Sequence, residues 1–71
     1  MPNELKIKAR ILECGLTIFK IAAMMNLSAY TLGRKINGTA KMTLEEAFAL
    51  MEILKIPKEE FPSYFFNSEV A

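Results

Sequence analysis

The sequence predicts an all-α fold, with five short helices in one domain. Four segments have apolar residues at helical spacing, and a residue that can cap a helix precedes each of them. These capping residues are Asn3, Thr17, Ser28 and Thr43. Glycine or asparagine follows three of these segments, and the chain has no repeat or linker. A chain of 71 residues suffices for one small core, so residues 1–71 are expected to form a single domain.

The first helix is expected to begin after Asn3 and to run to about Cys14, where Gly15 supplies a left-handed stop. One alternative stays open, because the segment LKIKARI alternates apolar and charged residues as a half-buried strand does. We favour a helix, because Leu, Lys, Ala, Arg and Glu are good helix formers and no partner strand is evident nearby.

Thr17 is expected to cap a second helix that runs through about Met25, with Ile21, Ala22 and Met25 forming a buried stripe. Asn26 follows it. Asparagine tolerates a left-handed backbone better than other non-glycine residues, so Asn26 is expected to form the tight turn into the next helix.

Ser28 is expected to cap the third helix, which ends at Asn37-Gly38. Leu32 and Ile36 lie four residues apart, so both are predicted to face the core. The rest of this helix is left to face solvent or a ligand.

Thr43 and Glu46 have the Thr-x-x-Glu spacing of a capping box and therefore predict the start of a fourth helix. The apolar residues of this helix recur every three or four positions and predict its core face: Leu44, Ala47, Phe48, Met51 and Leu54.

Pro57 suits the first turn of a short fifth helix, PKEEF. Pro62 is expected to stop this helix and to leave residues 62–71 as a C-terminal tail rich in aromatic residues.

Composition limits the possible functions. With 52% hydrophobic residues the chain should fold. Its longest apolar runs are about five residues, too short to cross a membrane, and charges interrupt its N-terminus as they would not in a secretory signal. A cytoplasmic protein with no membrane partner is therefore expected.

Catalysis and metal binding are not expected either. The sequence has no His and no Asp, which removes the usual catalytic bases and metal clusters, and a lone Cys14 is expected to be a half-buried structural thiol. We therefore expect no enzyme activity, no cofactor and no metal.

Charge is distributed unevenly along the chain. Residues 1–41 carry seven Lys and Arg against two Glu, whereas residues 42–71 carry two Lys against six Glu. Such asymmetry favours one face that meets a polyanion, although chance clustering of surface charge is the alternative.

The second and third helices have the spacing of a helix-turn-helix over about residues 17–37. Small Ala22 allows the third helix to cross closely, Asn26 supplies the unusual backbone angle, and Leu32 fixes the third helix to the core.

With these residues in place, the chain resembles the phage repressor and Cro-like group, the XRE-type helix-turn-helix regulators, and is most similar to short prophage-encoded members. The matching residues are Gly15-Leu16-Thr17, Ala22, Leu27-Ser28, Leu32, the run Arg34 to Gly38, the Thr43-led helix, and LKIPKEEF at 54–61. The resemblance implies a five-helix lambda-repressor-like domain that binds double-stranded operator DNA as a homodimer.

The same resemblance assigns roles to residues. The third helix would be the recognition helix, with base-reading positions at Ala29, Tyr30, Thr31 and Arg34. The implied phosphate contacts are Thr17, Lys20, Lys35, Asn37, Thr39 and Lys41. Arginine donates a fork of hydrogen bonds to guanine, so Arg34 is the expected base reader, while a solvated helix end is the alternative for Arg34 and Lys35.

The second helix departs from the family pattern. Ile18 stands where the family has Gln, Lys20 where Glu is common, and Ala23 and Met24 where charged residues are usual. Three explanations are open: Phe19 and Met24 enlarge the core, they form a protein interface, or DNA binding has been weakened or lost.

Aromatic residues are concentrated near the C-terminus at Phe61, Tyr64, Phe65 and Phe66. They are expected to form a dimer interface, the alternative being that they fold back onto the fourth helix. The leading hypothesis is therefore a dimeric transcription regulator or repressor. The alternative is a protein-interaction module, or modulator, that pairs with another repressor protein.

Overall fold

The computed structural model describes residues 2–66, which form five α-helices joined by short turns. In chain order the elements are α1 Glu4–Glu13, α2 Ile18–Met24, α3 Ala29–Ile36, α4 Leu44–Ile53, a 3-10 turn at Lys58–Glu60, and α5 Phe61–Phe65. No strand occurs among the described residues, which confirms the all-α prediction and makes the strand alternative for LKIKARI wrong. Residues 67–71 of the predicted tail lie outside the described residues.

Local hydrogen bonds begin each of the first four helices where the sequence predicts them. The cap oxygens of Asn3, Thr17, Ser28 and Thr43 each accept a hydrogen bond from the backbone N–H three residues later. The Glu46 carboxylate also accepts from the Thr43 N–H at 2.9 Å, which completes the predicted capping box. Because each of these bonds joins residues three apart, sequence spacing is enough to predict it.

The turn between α2 and α3 depends on Asn26, whose φ of 61° lies in the left-handed region. This angle reverses the chain, so that the Leu27 N–H donates to the Ala22 carbonyl at 2.8 Å. Ala22 itself is buried, and α2 and α3 pack directly against each other. The predicted turn geometry at Asn26 is confirmed.

One core holds the five helices together. Its largest fully buried side chains come from four segments of the chain: Ile7, Ile21, Leu32, Ile36, Leu50 and Leu54. On α4, Ala47, Met51 and Leu54 are buried as predicted, but Leu44 is 61% exposed and Phe48 is 43% exposed. Successive helical residues turn by about 100°, so an inward face that contains Ala47, Leu50, Met51 and Leu54 is centred close to Ala47 and leaves Phe48 about 110° away.

The C-terminal helix begins where the sequence analysis expected a helix to end. Pro62 lies in the first turn of α5 rather than stopping a helix. Within the segment PKEEF, Lys58–Glu60 form a 3-10 turn and Phe61 begins α5. A proline in the first helical turn loses no hydrogen bond, because the N–H groups there have no partner within the helix. The prediction that Pro62 terminates the fifth helix is therefore wrong.

Arg10 connects α1 to the end of α4. Its Nε donates to the Leu54 carbonyl at 2.9 Å and its Nη2 to the Lys55 carbonyl at 3.2 Å, so it caps the C-terminal end of α4. The Cys14 thiol reaches the same Leu54 carbonyl at 3.4 Å and is half-buried, as expected. Among residues 2–66, no helix has both the length and the apolar character required to span a membrane.

Candidate nucleic-acid interface

The outer face of α3 carries Tyr30 and Arg34, one helical turn apart. Tyr30 is 75% exposed, and Arg34 is exposed as well. The Arg34 guanidinium carbon lies 5.9 Å from the centre of the Tyr30 ring, within the range of a cation–π contact. Both side chains therefore face solvent, on the side of the helix opposite Leu32 and Ile36.

Hydrogen bonds to Thr39 orient the Arg34 guanidinium. Nη2 donates to the Thr39 carbonyl at 2.9 Å, and Nε lies 3.4 Å from the Thr39 hydroxyl. These two bonds occupy the edge of the guanidinium formed by Nε and Nη2. The end formed by the two terminal nitrogens keeps an N–H on each, so it can still donate a fork of two hydrogen bonds.

Two of the four predicted base-reading positions are turned partly inward. Ala29 packs against the core, and Thr31 is half-buried beside the cap of its own helix, where its hydroxyl accepts from Ser28 at 2.9 Å. Both residues lie in the first turn of α3, on the sides nearer the core. Ala29 therefore offers only a partly exposed methyl group and stays a predicted base reader, and Thr31 is a cap contact in this structure.

Asn37 and Thr39 stabilise the loop that follows α3. The Asn37 side-chain oxygen accepts from the Thr39 backbone N–H at 3.0 Å and from its hydroxyl at 2.7 Å. Because the single hydroxyl proton of Thr39 is used here, that group has none left for a phosphate. The Asn37 amide nitrogen keeps its donors, so Asn37 fits the predicted phosphate role better than Thr39 does.

Lys35 does not occupy the position of a phosphate ligand. Its ammonium donates to both carboxylate oxygens of Glu46, at 2.8 and 3.0 Å, and to the Lys41 carbonyl at 3.1 Å. Its side chain is only 14% exposed. Three acceptors use its three protons, so the prediction of a Lys35–phosphate contact is corrected.

The remaining predicted phosphate ligands are exposed. The Thr17 hydroxyl accepts from the Lys20 backbone N–H at 3.2 Å as the α2 cap and keeps a proton to donate. Lys20 and Lys41 both lie on the surface. Among the described residues no hydrogen bond joins Thr17 or the Lys20 side chain to the Arg34–Thr39 cluster, so these residues remain two separate groups.

Fewer cations are available to a polyanion than the charge count suggested. Lys8 pairs with Glu4 at 2.9 Å, and Arg10 and Lys35 are bound as described above. From α2 through the loop after α3, the cations that form no ion pair within residues 2–66 are Lys20, Arg34 and Lys41. No carboxylate occurs between Glu13 and Glu45, so this part of the chain is still basic.

The exposed side of α2 is mainly apolar. Phe19 is 75% exposed and Met24 is 63% exposed, with Ala23 between them on the same side. Ile18, in contrast, is half-buried and packs against the core. Of the three explanations for this helix, enlargement of the core is therefore wrong for Phe19 and Met24 and holds in part for Ile18.

The C-terminal aromatic residues divide into two groups. Tyr64 and Phe65 are each only 7% exposed and belong to the core, so their assignment to a dimer interface is corrected: this half of α5 folds back onto the domain. Phe66 is 58% exposed, and the half-buried Phe61 packs between it and Phe48, with ring centres 5.5 and 5.2 Å apart. Leu44, Phe48, Phe61 and Phe66 are called the aromatic ridge below.

Three features were not anticipated from the sequence. The sequence identified Glu46 only as the capping-box residue. The capping box uses one carboxylate oxygen, so the second oxygen was a signal for an ion pair, which it forms with Lys35. The bonds from Arg34 to Thr39 had no such signal, because they depend on how the loop after α3 folds back. The exposure of Phe48 likewise depends on which side of α4 meets the core.

Comparisons with known proteins place the chain in a family by sequence. The family described as "Protein of unknown function (DUF739)" matches residues 4–68, which is nearly the whole chain. Searches among curated proteins and among solved structures found no match. The match covers all five helices together with the Tyr30–Arg34 face and the aromatic ridge. The chain therefore belongs to the DUF739 family of proteins of unknown function.

Proposed function

We propose that this protein is a sequence-specific DNA-binding transcription regulator of the phage repressor and Cro-like type. The observation that carries the proposal is the outer face of α3, where Arg34 is held by Thr39 along one edge and keeps a free end beside exposed Tyr30. Such an end matches the O6 and N7 acceptors of guanine in the major groove. A regulator of this kind acts in the cytoplasm and catalyses no reaction.

The packing of α2 and α3 supports the proposal. Ala22 is buried, Asn26 makes the left-handed turn between α2 and α3, and buried Leu32 holds α3 to the core. These are the features that a helix-turn-helix needs in order to present its second helix to a groove. We propose accordingly that the fold is lambda-repressor-like and that α3 is the recognition helix.

The distribution of charge is compatible with DNA binding. Lys20, Arg34 and Lys41 form no ion pair within the described residues, and no carboxylate lies between Glu13 and Glu45. Cationic contacts with phosphates supply most non-specific affinity through the release of counterions. With few such contacts, we expect a modest salt dependence and a correspondingly larger contribution from base contacts.

We propose that two copies bind one operator and that the aromatic ridge joins them. Leu44, Phe48 and Phe66 are large exposed apolar side chains that lie on α4 and at the end of α5. Each aromatic residue offers about 150–250 Å² when fully buried, so the ridge could supply the apolar centre of a small interface. Phe61 and Phe66 keep their predicted role in this proposal, whereas Tyr64 and Phe65 do not.

Selection from a pool of randomised duplexes, followed by fluorescence anisotropy on the selected sequence, tests the DNA-binding proposal. We expect tight binding to the selected duplex, weaker binding to a scrambled one, and a loss of affinity as salt increases. Binding that is absent at low salt, or equal for both duplexes, would contradict sequence-specific recognition.

Two substitutions separate the proposed roles within the site. Arg34→Ala is expected to relax sequence preference, with a loss of affinity about 1–3 kcal/mol larger on the cognate duplex than on a scrambled one. Lys41→Ala is expected to weaken binding to all duplexes about equally and to lower the salt slope by about one. If both variants lose the same affinity on every duplex, the assigned roles are wrong.

A second candidate function is a protein-interaction module that pairs with another repressor protein. It is favoured by the exposed side of α2, since Phe19 and Met24 are apolar and are not used by the core. Light scattering of the protein alone and with a candidate repressor, for wild type and Phe19→Ser, tests this alternative. A strict monomer that binds its operator tightly and no repressor would dismiss it.

A further inference from the structure

Lys35 and Glu46 form a half-buried ion pair that joins the end of α3 to the start of α4. The ammonium lies 2.8 and 3.0 Å from the two carboxylate oxygens, and the side chains are 14% and 24% exposed. Glu46 performs a second task at the same time, because its Oε1 accepts the capping-box hydrogen bond from the Thr43 N–H. The Glu46 carboxylate therefore binds both Lys35, near the end of α3, and the backbone of Thr43, at the start of α4.

The same ammonium also holds the loop that connects these helices. Lys35 Nζ donates to the Lys41 carbonyl at 3.1 Å, while the Lys41 side chain itself is exposed. The bond therefore fixes the backbone from which Lys41 projects and leaves its charge free. The Lys35 ammonium is occupied by Glu46 and the Lys41 carbonyl, but it fixes the backbone position of Lys41.

Arg34 fastens the loop at a second point. Its guanidinium donates to the Thr39 carbonyl, and its own carbonyl accepts from the Thr39 and Ala40 N–H groups at 2.9 and 3.1 Å. Two consecutive residues of α3 thus hold the loop: Arg34 from the solvent side and Lys35 from the side that faces α4. If the Lys35–Glu46 pair is lost, Glu46 no longer holds the Lys35 ammonium beside the Lys41 carbonyl, and the loop depends mainly on the Arg34 contacts and the Asn37–Thr39 bonds.

We propose that Lys35 and Glu46 are positioning residues that preorganise the 37–43 loop, and with it Lys41, for contact with DNA. The inference rests on the proposed DNA-binding function and deepens it, because it assigns a role to a carboxylate beside a polyanion site. A loop that is already ordered loses less conformational entropy on binding, so its ligand binds more tightly. Glu46 then supports DNA binding despite its negative charge.

A double-mutant cycle with Glu46→Gln and Lys35→Met tests this proposal. Glutamine preserves the capping box, because its side-chain oxygen still accepts from the Thr43 N–H, but it removes the charge that holds Lys35. We expect each variant to lose roughly two- to tenfold in affinity for the selected duplex, the loss that corresponds to ordering about one long side chain. The double variant should lose no more than either single variant, and the salt slope should not change.

Glu45→Gln is the matched control, since Glu45 is the exposed neighbour of Glu46 on the same turn. It removes the same charge and should not reduce affinity. A direct Lys35–phosphate contact predicts the opposite pattern. In that case Glu46→Gln would tighten binding as Glu45→Gln does, and Lys35→Met would lower the salt slope by about one. Either result would overturn the positioning role.

Amide hydrogen exchange without DNA separates failure of this inference from failure of the proposed function. We expect Glu46→Gln to speed exchange at the Thr39 and Ala40 N–H groups by roughly two- to tenfold, and Glu45→Gln to leave it unchanged. If the wild-type protein binds no duplex, the proposed DNA-binding function is wrong. The exchange rates of Thr39 and Ala40 still show whether the Lys35–Glu46 pair orders the loop. If exchange is the same in both variants, the pair does not order the loop and the inference is wrong.

Discussion

Two non-glycine residues of the described chain hold a left-handed backbone, and each follows the end of a helix. Asn26, with φ 61°, lies after α2, and Lys55, with φ 56°, lies after α4. Asparagine adopts this conformation more readily than lysine does, so the sequence signals the first turn and not the second. The Lys55 turn is held instead by Arg10, which accounts for a turn that lacks its usual residue.

Substitution of Asn26 measures how far this backbone angle stabilises the fold. We expect Asn26→Ala to lower the free energy of unfolding by about 1 kcal/mol, since a Cβ without a polar group is disfavoured at positive φ. Asn26→Gly should change it by less than about 0.5 kcal/mol, because glycine relieves strain but adds freedom to the unfolded chain. Urea denaturation of both variants checks this. Equal stability of the two variants would contradict a role for the angle.

The Glu46 carboxylate predicts how stability changes with pH. The hydrogen bond from Lys35, together with that from Thr43, holds the pKa of Glu46 below its ordinary value of 4.5. Because the folded protein has the lower pKa, the resulting stabilisation is present above pH 4.5 and disappears as pH falls through the folded pKa.

Thermal unfolding across this pH range tests the expectation. Wild type should be more stable than Glu46→Gln at neutral pH, and the difference should shrink as the pH falls below 4.5. Glu45→Gln, whose exposed side chain does not contact Lys35, is the control and should differ little from wild type throughout. A difference between wild type and Glu46→Gln that stays constant with pH would mean that the ion pair does not stabilise the fold.

Helix α3 contains a glycine that its backbone conformation and packing do not require. Gly33 has an ordinary helical backbone, and a Cβ added there would meet nothing within 4 Å. Glycine inside a helix costs about 0.5–1 kcal/mol relative to alanine, because the unfolded chain loses more freedom. The helix proposed to contact DNA is therefore less stable than its length and caps would allow.

We expect Gly33→Ala to raise the free energy of unfolding by about 0.5–1 kcal/mol in urea denaturation. Gly15→Ala is the matched control, because a Cβ there also meets nothing within 4 Å while its φ is 70°. That substitution should destabilise by about 1 kcal/mol, so the two alanines should act in opposite directions. Destabilisation by Gly33→Ala would show that α3 is constrained by something other than its backbone.

For the whole molecule, the described fold is closed by the return of α5 onto the core. The Asn3 N–H donates to the Tyr64 carbonyl at 2.8 Å, and the Lys6 ammonium lies 4.7 Å from the centre of the Tyr64 ring. Tyr64 and Phe65 are buried, although α5 has only five residues. A helix this short is not stable alone, so tertiary packing must hold it in place.

Substitution of two neighbouring phenylalanines tests whether packing of α5 against the core stabilises the fold. Phe65→Ala should lower the free energy of unfolding by about 3–5 kcal/mol, because it leaves a cavity in the core. Phe66→Ala changes the same residue type at a site that is 58% exposed and should cost less than about 1 kcal/mol. Urea denaturation at low protein concentration compares them. Similar losses for both would mean that α5 is not docked as described.

The sequence by itself determined where the first four helices begin and where the turn at Asn26 lies. Caps and turns join residues a few positions apart, so their spacing in the chain specifies their hydrogen bonds. Only the tertiary structure decided that Tyr64 and Phe65 are buried while Phe48 and Leu44 are exposed. It also decided that Lys35 binds Glu46, eleven residues away. Such choices depend on which surfaces of the helices meet, and local spacing does not specify that.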